Sequence, residues 1–148
     1  MPDTVRESIL ADLHTTLAAV SSLKSAQRWE QNGNDFTETP MVVIAPAPEE
    51  KEDGPSALTT CRLDVDIDLY VRHDKNEFAG STDAYLNGLL GAIEAALMAD
   101  HTRGGHAIDT EITGNSPFEV IEGQALAGLI ISIRVHYRHQ RTDPTAGG

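Results

Sequence analysis

The chain has 148 residues, 23 of them acidic and 11 basic, for a formal charge of −12. That size fits one domain able to bury about 68–70% of its unfolded surface, and that charge argues against a protein that grips nucleic acid by neutralising phosphates. One cysteine, Cys61, leaves no partner for a disulfide within the chain, and no window approaches 18 continuous apolar residues, so the sequence reads as a soluble, unprocessed chain that makes no use of a membrane.

From Asp3 to about Lys24, Val5, Ile9, Leu10, Leu13, Leu17 and Val20 recur at helical spacing, and Thr4-x-x-Glu7 offers a capping box. Ser21, Ser22 and Ser25 weaken the end of this helix. Gln27-Arg28-Trp29 opens a short strand before the turn-rich Asn32-Gly33-Asn34-Asp35. Met41 to Ala45 form an apolar run between Pro40 and Pro46 and read as a strand. Residues 46–57 (PAPEEKEDGPSA) hold no large apolar side chain and carry the run Glu49-Glu50-Lys51-Glu52-Asp53, so they read as a long charged loop joining the arms of an antiparallel hairpin.

The second arm is Arg62 to Val71, RLDVDIDLYV. Its three aspartates have the D-x-D-x-D spacing of a calcium loop, but Leu69 stands where that loop needs glycine and no glutamate closes it. Strict alternation is instead the period of a strand, with Cys61, Leu63, Val65, Ile67, Leu69 and Val71 inward and Asp64, Asp66 and Asp68 outward. His73 to Gly80 reads as a polar turn. Ser81 or Thr82 then caps a second helix to Ala99, with Tyr85, Leu86, Leu89, Leu90, Ile93 and Leu97 as its inner stripe. Arg103-Gly104-Gly105 makes a turn. Strands follow at Ala107–Thr113 and Ala125–His139, with the short piece Pro117–Val120 between them. In the longer strand Leu129, Ile131, Ile133, Val135 and Tyr137 share one side, and Ser132, Arg134, His136 and Arg138 the other.

This order predicts an α+β fold: an antiparallel or mixed β-sheet with two α-helices packed on one face, forming a single domain over residues 1–140 with a flexible tail at 141–148. The opposite face would carry the aspartate row on one strand and Arg134 and Arg138 on another. They would form either a solvated ladder within the chain, at about 0.2–1 kcal/mol per pair, or parts of a contact with another subunit. Tyr70 and Arg72, at one end of the charged row, join the interface candidates, as do Glu49, Glu50, Lys51, Glu52 and Asp53.

No catalytic constellation, metal site or cofactor loop stands out. His136-x-x-His139 fails as a metal pair because an interval of three on a strand sends the rings to opposite faces. Cys61 is expected buried, without the exposure a nucleophile needs. Trp29 and Phe118 are expected in the core. The expectation is a protein without enzymatic activity, with a small ligand-binding domain or enzyme as the other class.

The segments Ala96-Leu97-Met98-Ala99-Asp100, Gly104-Gly105, Ile108-Asp109-Thr110-Glu111-Ile112-Thr113-Gly114, Ser116-Pro117-Phe118-Glu119, Glu122-Gly123-Gln124-Ala125-Leu126-Ala127-Gly128, Val135-His136-Tyr137-Arg138 and Asp143-Pro144 resemble the tail terminator family of long-tailed (siphovirus-type) bacteriophages. The element order is similar across nearly the whole chain; these motifs are structural glycines and turns rather than catalytic signatures, so the alternative reading is another head–tail joining protein of the neck or tail-completion kind. The resemblance implies a homo-oligomeric ring, commonly a hexamer, that caps the tail tube at its head-proximal end and stops its polymerisation. It also implies contacts with a tail tube protein and a head–tail connector, with DNA passing through the ring without sequence-specific binding. Such a ring belongs to the virion and is assembled in the host cytoplasm.

Overall fold

A computed structural model describes residues 2–72, 81–121 and 125–147. The expected turn at His73–Gly80 and the motif residues Glu122, Gly123 and Gln124 lie outside them. Helix α1 (Val5–Ala18) starts at Thr4, whose hydroxyl accepts from the Glu7 amide at 3.0 Å. It ends before the expected Lys24 because the chain tightens at Ala19 and Val20 into a turn that returns Leu23 to the core. Strand β1 (Ser25–Arg28) follows, then β2 (Met41–Asp53), a 3₁₀ turn at Pro55–Ala57, and β3 (Leu58–Arg72). Helix α2 (Thr82–Ala99) is capped by the Ser81 hydroxyl, which accepts from the Ala84 amide. The remaining strands are β4 (Asp109–Asn115), β5 (Glu119–Ile121), β6 (Leu126–Gln140) and β7 (Asp143–Gly147).

The α+β class stands, with one mixed sheet in the order β1-β2-β3-β6-β4. β1 runs parallel to β2, and the other pairings are antiparallel. β3 and β6 pair along their whole length, from Leu58 opposite Gln140 to Arg72 opposite Leu126. The far edge of β6 is then covered in succession by β5, β4 and β7. Because side chains alternate across a strand, this register puts Cys61, Leu63, Val65, Ile67 and Leu69 on one side with Tyr137, Val135, Ile133, Ile131 and Leu129. These residues join Ile9, Leu13 and Leu17 of α1 and Leu86, Leu89, Ile93 and Leu97 of α2 in one core cluster. Each such aliphatic side chain contributes about 1.5–3 kcal/mol on burial, more than any exposed ion pair on the other face.

Three expectations need correction. Residues 46–57 are not a charged loop: β2 continues to Asp53, and only Gly54 and the 3₁₀ turn remain as connection. The prolines are tolerated because β1 pairs with β2 only as far as Ile44, so the rest of β2 is an edge. A bulge between Pro46 and Glu49 adds one residue to β2 and turns Glu49 inward, opposite Leu63. The expected tail at 141–148 holds β7, which pairs with β6 at His139 and Gln140; Asp143 accepts from the Thr145 amide and hydroxyl within the irregular stretch of β7 between those two pairs. Trp29 and Phe118 are exposed rather than core, since each lies in a connection beside a short strand.

Candidate interaction face

The core cluster that absorbs both helices contains inner-face residues of β2, β3 and β6 and none of their outer-face residues. The other face of the sheet lies outside that cluster: Met41 and Val43 of β2 are buried there, beside Tyr70 and Asp68, and the remaining β3 positions are mostly polar. Along β3 it carries Thr60, Arg62, Asp64, Asp66, Asp68, Tyr70 and Arg72, all half-buried. Opposite them on β6 stand Arg138, His136, Arg134, Ser132, Ile130, Gly128 and Leu126.

At the centre, Arg134 Nε donates to Asp64 at 2.8 Å and its Nη2 at 3.3 Å. The carboxylate raises the guanidinium pKa, through the hydrogen bond first and charge second. Next to this pair, His136 Nε2 lies 2.8 Å from Glu111 on β4, and Arg62 reaches Glu50 at 3.4 Å and Glu52 at 3.8 Å on β2. The cross-strand ladder within the chain thus exists for Asp64. Asp66 accepts from the Ser132 hydroxyl at 3.3 Å.

Asp68 is different. Among the described residues no cation lies within ion-pair distance of it, and burial, with Asp66 alongside, pushes its carboxyl above the ordinary carboxylate range. Its register partner on β6 is Ile130, 40% exposed. Asp68, Tyr70, Pro117, Glu119, Ile121 and Ile130 line a groove of about 160 Å³ whose floor is Gly128 and Leu129. Phe36 meets the Tyr70 ring edge-on, with centroids 4.9 Å apart. Burial, then the Asp68 charge, raises the Tyr70 phenol pKa. A carboxylate beside exposed aliphatic surface suits a side chain that is cationic at its tip and apolar along its stem.

The raised Asp68 pKa fixes the sign of a pH effect. Protonation is favoured by folding, so the carboxylate's cost is absent below the unfolded-state pKa, grows as pH rises through the raised folded value, and is complete above it. Asp68→Asn is therefore expected to raise the unfolding free energy of the isolated chain at neutral pH by less than about 1 kcal/mol after solvent screening, seen as a higher melting temperature. The advantage should vanish near pH 3, where both states are protonated. Paired thermal melts at the two pH values check it; an Asn variant that melts lower at neutral pH contradicts it.

The other candidates spread over four places. Glu50 and Glu52 lie on the outer face with Arg62. Glu49 is turned to the inner side with its side chain only 9% exposed; it accepts from the Tyr137 hydroxyl at 2.5 Å, with Arg6 and Lys51 each 3.6 Å away. Lys51 also meets His139 Nε2 at 3.0 Å, while His139 Nδ1 lies 2.7 Å from the Gln140 carbonyl. His136 and His139 thus do stand on opposite sides. Asp53 accepts from Thr59 and pairs with Arg141 at 3.6 Å. Arg138 is exposed and lies beside β7, where it shares a recess with Ile108.

Sequence reasoning missed Arg62, Glu111 and Glu119 on this face. Alternation places Arg62 outward, but only the register of β4 and β5 on β6 reveals the two glutamates. No family model matches the sequence, and no curated protein does. Among solved structures, the chain is similar to one in the virion of a native gene transfer agent particle, with 10% identity, 90% of each chain covered and a TM-score of 0.40.

Proposed function

We propose that this chain is a structural virion protein without enzymatic activity. In this reading, copies close into a ring on the head-proximal end of a phage tail tube, end its polymerisation and offer the docking surface for the head connector. The observation that carries the reading is the outer sheet face, where half-buried charges and the exposed Ile130 stand uncovered by either helix. An exposed patch that mixes aliphatic and desolvated charged groups is the ordinary make-up of a protein contact. The segments that resemble tail terminators supply the identity of the assembly. A closed ring needs two different complementary surfaces on each subunit, and a long sheet with distinct ends can present them. The charge of −12 suits a passage for DNA, because carboxylates repel phosphate and leave no sticky sites.

Electron microscopy of tail tubes mixed with the purified chain tests this reading. Ring density at one end of each tube, and overlong tubes when the chain is withheld, are expected. Tubes of normal length with bare ends would overturn it.

A further inference from the structure

We infer that the groove between Asp68 and Glu119 receives Arg138 of a second copy of this chain, so that neighbouring subunits join head to tail along the outer sheet face. The inference rests on the ring reading and specifies its contact. Every described arginine other than Arg138 already has a partner within the chain. Arg6 meets Glu49, Arg28 meets Glu7, Arg62 meets Glu50 and Glu52, Arg103 meets Asp12, Arg134 meets Asp64 and Arg141 meets Asp53, while Arg72 is engaged as well. Arg138 is the one described arginine left exposed and unpaired, next to Ile108, which is 48% exposed; the exposed Lys24 also lacks an ion pair among the described residues, but it lies between α1 and β1, away from the long strands.

The groove is its complement: Asp68 without a cation among the described residues, Glu119 at the rim, and Ile121 and Ile130 as apolar walls. One molecule cannot satisfy both ends. Asp68 stands opposite Ile130 and Arg138 opposite Thr60, so the two sites are eight β6 residues apart, roughly 27 Å at 3.4 Å per residue. A face with an unpaired carboxylate at one end and an unpaired arginine at the other, matched only between molecules, makes heterologous contacts, which close into a ring when the rotation allows. Ile108 meeting Ile130 or Ile121 would add an apolar contact beside the charge pair.

A charge exchange tests this. Arg138→Asp and Asp68→Lys each place like charges at every contact, and each alone should raise the concentration needed for assembly at least about tenfold. A one-to-one mixture of the two variants restores opposite charges at both kinds of contact. The introduced lysine then meets the introduced aspartate, the native Asp68 of one variant meets the native Arg138 of the other, and the mixture should assemble like the parent. Sedimentation velocity reads the oligomer, and circular dichroism verifies folding. Should Asp68→Lys not fold, Arg138→Asp, on the exposed side, and Asp68→Asn remain as independent tests, and both must weaken assembly. Single variants that form rings as the parent does, or a mixture no better than its components, overturn the contact while leaving the ring intact. A parent chain that forms no ring alone or on tail tubes overturns the contact and the proposed function together.

Discussion

Gly128→Ala is expected to lower the unfolding free energy by about 3 kcal/mol, and Gly128→Val by more, in urea titrations of the isolated chain. The reason is a single close approach in the middle of the sheet. A Cβ on Gly128 would stand 2.3 Å from the Leu69 carbonyl oxygen and 3.3 Å from the Tyr70 ring. Leu69 is backbone of β3, held by pairing on both sides, so the obstructing atom cannot swing away as a flexible side chain would. The alternatives are a local break in the β3–β6 ladder or a shift of Tyr70, which would reshape the groove that Gly128 floors. A glycine inside a strand commonly marks such an approach. An alanine variant as stable as the parent would show that β3 and β6 are not in this register.

Arg103→Ala is expected to cost about 3–5 kcal/mol. The side chain is completely buried, its Nη2 donates to the carbonyls of Leu97 and Asp100, and its Nε lies 3.6 Å from Asp12 on α1. It ties the end of α2 to α1. Its Nε and Nη1 lack hydrogen-bond partners among the described residues, and burial lowers its pKa. The residue is thus a costly clasp whose removal leaves two carbonyls without their donor and a cavity between the helices. Arg103 also sits at φ +50°, a region that glycine enters freely. Arg103→Gly should therefore destabilise less than Arg103→Ala, by about 0.5–1 kcal/mol, reversing the usual order of the two residues. Urea midpoints of the pair decide it, and an alanine variant within about 1 kcal/mol of the parent contradicts the clasp.

The parts of this fold that are legible in the sequence are those where one period governs a long stretch. The alternation of Cys61 to Val71 and of Leu129 to Tyr137 announces two strands with one buried side each, and the stripes Ile9–Leu13–Leu17 and Leu86–Leu89–Ile93–Leu97 announce the helices that cover it. The second half of β2 is illegible because a strand on an edge needs no apolar residues: Glu50 and Glu52 hold their places through Arg62, and the bulge at Pro46/Glu49 changes which side Glu49 faces. β7 is illegible because its stability comes from pairing with an edge of β6 rather than from any pattern of its own. Arg103 reads only as part of a turn, since nothing local signals that a guanidinium will lie between two helices. The aspartate row is legible as an outward row, but not that Asp64 finds Arg134 while Asp68 finds no cation among the described residues. That difference depends on the β3–β6 register.

In the proposed assembly, the outer sheet face is the surface where copies of this chain meet. A reconstruction by cryo-electron microscopy of the chain bound at the end of a tail tube measures this directly. The expected density shows a closed ring in which Asp68 and Ile130 are covered by the neighbouring subunit. A ring whose subunits leave that face open to solvent, joined through the helices instead, would contradict it.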